Sequence, residues 1–390
     1  MNASVYLHPS KQGTIRRGHP WVFPKAIHRE TGNPKTGSLV NIFTDESEQF
    51  GVGVYNQHSL YRVRILARTE EKLDLSSLES IVTHRLKQAL SVRHSLNLPN
   101  ATTTAYRLFN SEGDGLSGLT IDRFNHICVV SSSAYWVESN KSIITAAIKT
   151  VIPNDEIVWL PQIKALAQDG WKEPVEKPED RIEIVTESSI QYQVDFSNAQ
   201  KTGLFLDQRE NHMRIAAIAS GKRVLDLYTY TGGFALHAAK AGASRVTAVD
   251  SSSQAIEQAK KNAELNNLSQ IEWINDDARD YLSHAANYDI VILDPPKLAP
   301  SQQHLQRAKN YYRFLHREVF KVMQSGSLLL TCNCSSALTS TEFADLVYSQ
   351  ARTVGKSARI LGIFGPSSCH PTLPAFPEGN YLTAVLLGLV

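Results

Sequence analysis

Residues 223–250 read RVLDLYTYTGGFALHAAKAGASRVTAVD. Two short apolar runs, RVLDLY and RVTAVD, flank FALHAAKAG, whose apolar residues recur at helical spacing, so the stretch predicts strand, helix, strand. The alternation continues with SQAIEQAKKNAELNN (helix), IEWIND and YDIVILD (strands), RAKNYYRFLHREVFKVM (helix) and SLLLTC (strand). Strands separated by helices of this length run parallel, because the helix carries the chain back to the same end of the sheet. The expected fold class is α/β, with a Rossmann-like, doubly wound, mostly parallel sheet filling a domain at 196–390.

Upstream the pattern changes. Residues 1–72 carry short β-type runs (SLVNIF, FGVGVYN, YRVRILA) separated by Gly and polar turn residues, which predicts a small all-β module. A central α/β domain is expected over 73–195. It opens on a helix at 75–95, with Leu75, Leu78, Ile81, Val82, Leu86 and Leu90 at helical spacing, and NSEGDGLSG then marks a turn before a β-hairpin. The charged, proline-broken KEPVEKPEDR (172–181) reads as a surface loop. With 390 residues, 42% of them hydrophobic and 20% charged, the chain has the composition of a globular protein of two to three domains. No stretch approaches the roughly 18 apolar residues of a membrane span, and the N-terminus lacks a secretory layout. Four cysteines form no disulfide-like framework, so free thiols in a reducing, cytoplasmic compartment are expected. The net charge of +2 divides as +4 over 1–72, −5 over 73–199 and +3 over 200–390, a basic front suited to a polyanion.

In an open parallel sheet, ligands bind beyond the carboxyl ends of the strands. The first strand contributes Asp226 and then the loop TYTGGF, with Thr229, Thr231 and Gly232. The second ends in Asp250, followed by Ser251, and the third leads to Asp277 and Ala278. A pyrophosphate-binding loop would read G-x-G-x-x-G, and Asp226 would repel a phosphate. A cationic, amino-acid-bearing nucleoside would instead welcome that carboxylate, with Asp250 accepting from ribose hydroxyls, and S-adenosyl-L-methionine fits this description. The fourth strand ends in Asp294, Pro295, Pro296, Lys297, where prolines fix the direction of the Asp carboxylate. Methyltransferases that act on exocyclic amines usually end this tetrapeptide in an aromatic; Lys297 argues against that substrate. The fifth strand runs into LLLTCNCSS (328–336) beside the same crevice. Pyrimidine C5 is a poor nucleophile until a thiolate adds to C6, chemistry that asks for a cysteine here, with Lys297 helping to lower its pKa.

These segments resemble the class I S-adenosylmethionine-dependent large-subunit ribosomal RNA (cytosine-C5) methyltransferases, which join an N-terminal PUA domain, a small central domain and a Rossmann-like methyltransferase domain. The likeness covers essentially the whole chain. It is carried by GHPWVFPKAI (18–27), NSEGDGLSGLTIDRF (110–124), QKTGLFLDQREN (200–211), LYTYTGGF (227–234), DPPKLAPS (294–301), TCNCS (331–335) and HPTLPAFPEGNYL (370–382). The resemblance implies Cys334 as the catalytic cysteine, Asp294 as the acid of the DPP motif, and Asp226, Gly232, Asp250 and Asp277 at the cofactor. Cys369 before His370 departs from the Asp that commonly precedes that histidine. A homodimer is among the expected assemblies.

RNA contact is expected at Arg16, Arg17 and Lys25 around GHPWVF, at Lys201, and along RAKNYYRFLHREVFK, where Lys309, Arg313, Arg317 and Lys321 recur every fourth residue with one acid, Glu318, and interleaved Tyr311 and Tyr312. Three rival readings stand beside this one: a zinc site from Cys332, Cys334, Cys369 and His370, against which the ligand spacing weighs; a catalytically inactive RNA-binding adaptor; and a guanine methyltransferase of the same architecture. The expected metal content is none. An extended chain points positions 332 and 334 to the same face, so geometry alone does not choose between the two cysteines. The resemblance selects Cys334, and Cys332 reads as a packed residue.

Overall fold

The computed structural model describes residues 3–44, 48–175, 181–196, 204–299 and 302–390. Contacts divide the chain into two compact units: 1–183 with 195–203 and 369–379, and 184–194 with 204–368 and 380–390.

The first unit holds two sheets. Six strands, in the order 21–22, 63–68, 49–55, 39–43, 4–7, 27–31, form the expected β module. Val5, Leu7, Ile42 and Val63 fill its interior. The strand Gln49–Tyr55 is buried on both faces, because Val52, Val54, Leu66 and Ala67 pack outward into the core of the helix Leu78–Ser95 and of a four-stranded sheet spanning 105–159. That shared core is why the expected division at 72/73 lies inside one compact unit. The helix starts three residues later than the apolar pattern, where the Ser77 hydroxyl accepts from the Ser80 amide and caps it.

NSEGDGL is more than a turn. Asp114 receives Arg93 through two bonds of 2.7 Å, and the buried Arg93 also donates to the Cys369 carbonyl at 2.7 Å. Asn110 donates to the Pro371 carbonyl at 2.8 Å. A Cβ at Gly113 would stand 1.9 Å from that same oxygen, so only glycine fits. Thus 369–379 is gripped by one charge-assisted and one neutral bond from residues far back in the chain, and Cys369 is wholly buried.

The second unit contains a seven-stranded sheet: β1 (Arg223–Leu227), β2 (Arg245–Asp250), β3 (Ile271–Asn275), β4 (Ile290–Leu293), β5 (Leu328–Asn333), β6 (Ala358–Phe364) and β7 (Thr383–Leu389). Their order is β3-β2-β1-β4-β5-β7-β6, parallel through β5, with β7 antiparallel to both neighbours. This is the expected α/β architecture. Five helices accompany it: α1 (Arg209–Ala219), α2 (Gly233–Lys240), α3 (Ser253–Leu265), α4 (Leu305–Val322) and α5 (Ser340–Thr353). No described helix is long and apolar enough to cross a membrane.

The unit also owns most of a hairpin, Ile182–Glu187 with Ile190–Asp195, so the contacts divide near 183 rather than at the expected 195. Asn262 on α3 and Asn266 at its end accept from the backbone amides of Gln193 and Gln191, both at 2.9 Å, while Tyr192 and Val194 are buried. Side chains seventy residues downstream hold the hairpin, a signal absent from its own sequence. Glu187 at its turn meets His212 of α1, Nδ1 to Oε1 at 2.8 Å, and His237 of α2, Nε2 to Oε1 at 3.9 Å. Burial, with His212 alongside, pushes His237 down to about 4. Burial opposes the charge on Glu187, but the two imidazoles outweigh it and keep its pKa below the ordinary value.

Candidate active site

The strand order reverses between β1 and β4, which opens a crevice at their carboxyl ends. Asp226, in β1, is wholly buried. Its Oδ2 accepts from the Thr229 hydroxyl at 2.5 Å and the Ala235 amide at 3.1 Å, whereas Oδ1 is buried with no partner among the described residues. Burial pushes this carboxyl up to about 6 against the pull of those two bonds. Tyr228, Tyr230 and Gly232 all take left-handed backbone, with φ of 66°, 52° and 91°, so the loop coils tightly. A Cβ on Gly232 would lie 2.7 Å from the Trp273 ring. Asp250 closes the loop from the next strand: Oδ2 accepts from the Tyr230 amide at 2.9 Å and Oδ1 from the Ser252 amide at 2.8 Å. Ser251 is exposed, Thr231 buried, and Thr231 offers its carbonyl to Asn262 at 3.1 Å. Asp277 receives Arg279, which lowers its pKa through hydrogen bonds from side chain and backbone, and Ala278 is buried beside it. A buried carboxylate oxygen awaiting a donor, next to a loop too tight for a side chain at Gly232, fits a cationic nucleoside such as S-adenosylmethionine.

Asp294 follows β4. Gln208 donates to its Oδ2 at 2.8 Å, and Asn211 donates to Gln208 Oε1 at 2.6 Å, which fixes the direction of the Gln amide. Burial of the carboxyl, with Asp207 adding like charge, pushes Asp294 up to about 7. Asp207 in turn accepts from the Tyr381 hydroxyl at 2.8 Å. The two cysteines differ sharply. Cys332 lies within β5, opposite Ala384 of β7, with no exposed surface, and burial pushes its thiol far above the usual range. Cys334 stands one residue past β5, half-buried, its Sγ 3.9 Å from the Pro295 carbonyl oxygen. Tyr312 of α4 donates to Asn333 Oδ1 at 3.2 Å, and the Asn333 amide donates to the carbonyls of Ser335 and Leu338 at 3.0 and 3.1 Å, which pins the turn carrying Cys334. Lys297 is exposed on the turn after Asp294.

Gln208, Asn211, Tyr312 and Asn333 escaped the sequence reading as site residues. Gln208 and Asn211 lay within LFLDQREN, and a run of buried polar residues there was the signal to follow. Tyr311 and Tyr312 do not face outward from α4 as interleaved aromatics: Tyr312 is buried, and the Tyr311 hydroxyl lies 3.3 Å from that of Tyr228. The basic stripe is partly neutralised. Lys309 pairs with Glu342 of α5 at 3.1 Å, Arg317 and Lys321 share Glu318, and Arg313 donates to Asn310. Arg16, Arg17 and Lys25 are exposed on the first unit, Arg16 bonding Gln12. Lys201 lies outside the described residues. Among the described residues the cysteines join no group of three metal-ligating side chains.

Two family models match the chain, an S-adenosylmethionine-dependent methyltransferase over residues 169–357 and a PUA-like domain over 5–68. Ribosomal RNA large subunit methyltransferase I of Aeromonas hydrophila is 35% identical over 99% of both chains, and the proteins of the same name from Aeromonas salmonicida and Alteromonas mediterranea are 34% and 33% identical over 98–99% of each chain. A solved structure described as a SAM-dependent methyltransferase from Streptococcus mutans superposes with a TM-score of 0.81 at 21% identity, covering 99% of this chain and 100% of that one. Another solved methyltransferase, complexed with SAH, reaches a TM-score of 0.82 at the same identity and coverage. The chain thus carries an S-adenosylmethionine-dependent methyltransferase domain and belongs to the ribosomal RNA large subunit methyltransferase I family.

Proposed function

We propose that this enzyme methylates C5 of a cytosine in large-subunit ribosomal RNA, with Cys334 as the nucleophile. The observation that carries the reading is the contrast between a sealed Cys332 and a half-buried Cys334 held beside the Asp294–Pro295 turn. Bound S-adenosylmethionine supplies an electrophilic methyl group. Cys334 Sγ forms a bond to C6 of the base, the C5–C6 π pair moves into the ring and makes C5 nucleophilic, and Asp294, protonated near neutral pH, donates toward N3. After C5 is methylated, the N3 proton returns to the Asp294 carboxylate, and loss of the C5 proton with departure of the thiolate restores the pyrimidine. Asp226 and the 228–232 loop hold the cofactor, Asp250 its ribose, and Asp277 with Ala278 border the adenine.

Residues 1–72 are assigned to RNA binding through Arg16, Arg17 and Lys25, with Arg313 and Arg317 of α4 as further phosphate contacts; the PUA-like match and the relatives' names support RNA as the substrate. A target base inside a helix must leave its stack to reach a thiol, so we assign the substrate to a loop or to RNA not yet assembled. Four free cysteines suit a reducing, cytoplasmic setting. The test is a map of 5-methylcytidine in ribosomal RNA with and without the protein. One site missing without it is expected; an unchanged map overturns the assignment, and a missing methylguanosine identifies the guanine enzyme instead.

A further inference from the structure

We infer that Glu187, His212 and His237 form a structural site for a divalent transition-metal ion of zinc type, separate from the crevice chemistry. Each of the three buried residues offers a ligand atom within 4.8 Å of one from each of the others, and Glu187 Oε1 lies 2.8 Å from His212 Nδ1 and 3.9 Å from His237 Nε2. The argument rests on hydrogen-bond polarity. His237 Nδ1 lies 2.9 Å from the Gly233 carbonyl, which only accepts, and 3.3 Å from the Tyr192 hydroxyl, which can accept as well as donate, so the shorter contact places the proton on Nδ1. Nε2 therefore presents a lone pair, and it is buried with no partner among the described residues. What it faces is Glu187 Oε1 at 3.9 Å, another acceptor. Two buried acceptors pointed at each other repel unless a cation lies between them.

The surroundings match a ligand set. A ligating imidazole ordinarily donates its other nitrogen to a carbonyl, as His237 does to Gly233. The donor spacings of 2.8 and 3.9 Å bracket the edge of about 3.3 Å in a tetrahedral site with bonds of about 2.0 Å. Two imidazoles and a carboxylate suit zinc, with one position left for water. The three ligands come from the hairpin, α1 and α2, so the ion would clasp all three. The His212 ring occupies the space of a Cβ on Gly233, 2.5 Å from its Nε2, which sets the site directly behind the first residue of α2.

The test uses the full chain, stripped with chelator and titrated with Zn²⁺ by calorimetry, then loaded with Co²⁺. One equivalent should bind, the melting temperature should rise and fall again with chelator, and cobalt should show four-coordinate visible bands without the near-ultraviolet charge-transfer bands of a thiolate ligand. His237→Gln should abolish uptake. Absence of stoichiometric binding, a thiolate signature in the cobalt spectrum, or uptake undiminished in His237→Gln overturns the inference. The cobalt spectrum of the unmodified chain decides the matter even if the variant does not fold, and none of these readouts depends on RNA or methyl transfer.

Discussion

At the scale of single residues the two cysteines separate cleanly. Cys334→Ala should abolish turnover and the covalent adduct with 5-fluorocytidine-containing RNA, in which the C5 proton cannot leave, whereas Cys332→Ala should keep both; denaturing gel electrophoresis of the adduct checks this. Asp294→Asn should slow adduct formation by about 10² to 10⁴. Burial pushes Asp294 up to about 7, and the proposed mechanism uses its protonated form, so the rate should fall as pH rises through that value. Gln208 favours the ionised form, so Gln208→Leu should move this alkaline limb to higher pH, readable in the pH profile of adduct formation. Asp226 carries the opposite demand. Its pKa is raised by folding, so its ionised form costs stability that is lost as pH rises through about 6, while only that form attracts a cation. Asp226→Asn should therefore raise the melting temperature of the cofactor-free protein at pH 8 and weaken S-adenosylmethionine roughly 10- to 100-fold by calorimetry. Asp226, Asp294 and Cys334 could be picked out of the sequence as candidates because each lies at or just past the carboxyl end of a strand. Gln208 and Tyr312 were not, since a buried amide or hydroxyl declares its role only when its partner from another element is known.

At the scale of elements, α4 shows what periodicity gives and withholds. Its basic repeat every fourth residue was readable, but Glu342, which occupies Lys309, comes from α5, a helix the sequence reading did not place. Of the stripe, Arg313 and Arg317 have, among the described residues, only neighbours on their own helix as partners. Replacing both with Ala should weaken RNA binding across sequences and reduce the slope of log affinity against log salt by about 1 per lost phosphate contact. The same double change should leave S-adenosylmethionine affinity unaltered. The alternating strands and helices of 223–333 were recovered to within a few residues. The hairpin at 182–195 was not, because its backbone is satisfied by Asn262 and Asn266 rather than by a pattern of its own. β6 and β7 escaped for a related reason: an antiparallel pair at the sheet's far edge breaks the alternation on which the reading relied.

At the scale of the whole molecule, the chain passes between the two units five times. Strand and helix patterning pointed to the α/β architecture, but not to the long-range bonds that tie 369–379 to Arg93 and Asn110, since an arginine and two carbonyls have no sequence signature. A fragment cut at the expected boundary, 196–390, loses the hairpin with Tyr192 and carries 369–379 without its donors, Arg93 and Asn110. We expect it to be aggregated or molten, with far-ultraviolet but little near-ultraviolet circular dichroism, and to bind no S-adenosylmethionine. Arg93 makes a further demand in time rather than space. Its charge is buried and shared between Asp114, made twenty-one residues later, and the Cys369 carbonyl, made 276 residues later. At about 5 to 20 residues per second, a ribosome leaves that contact open for tens of seconds. The N-terminal half of this enzyme therefore cannot finish folding in the order in which it is born.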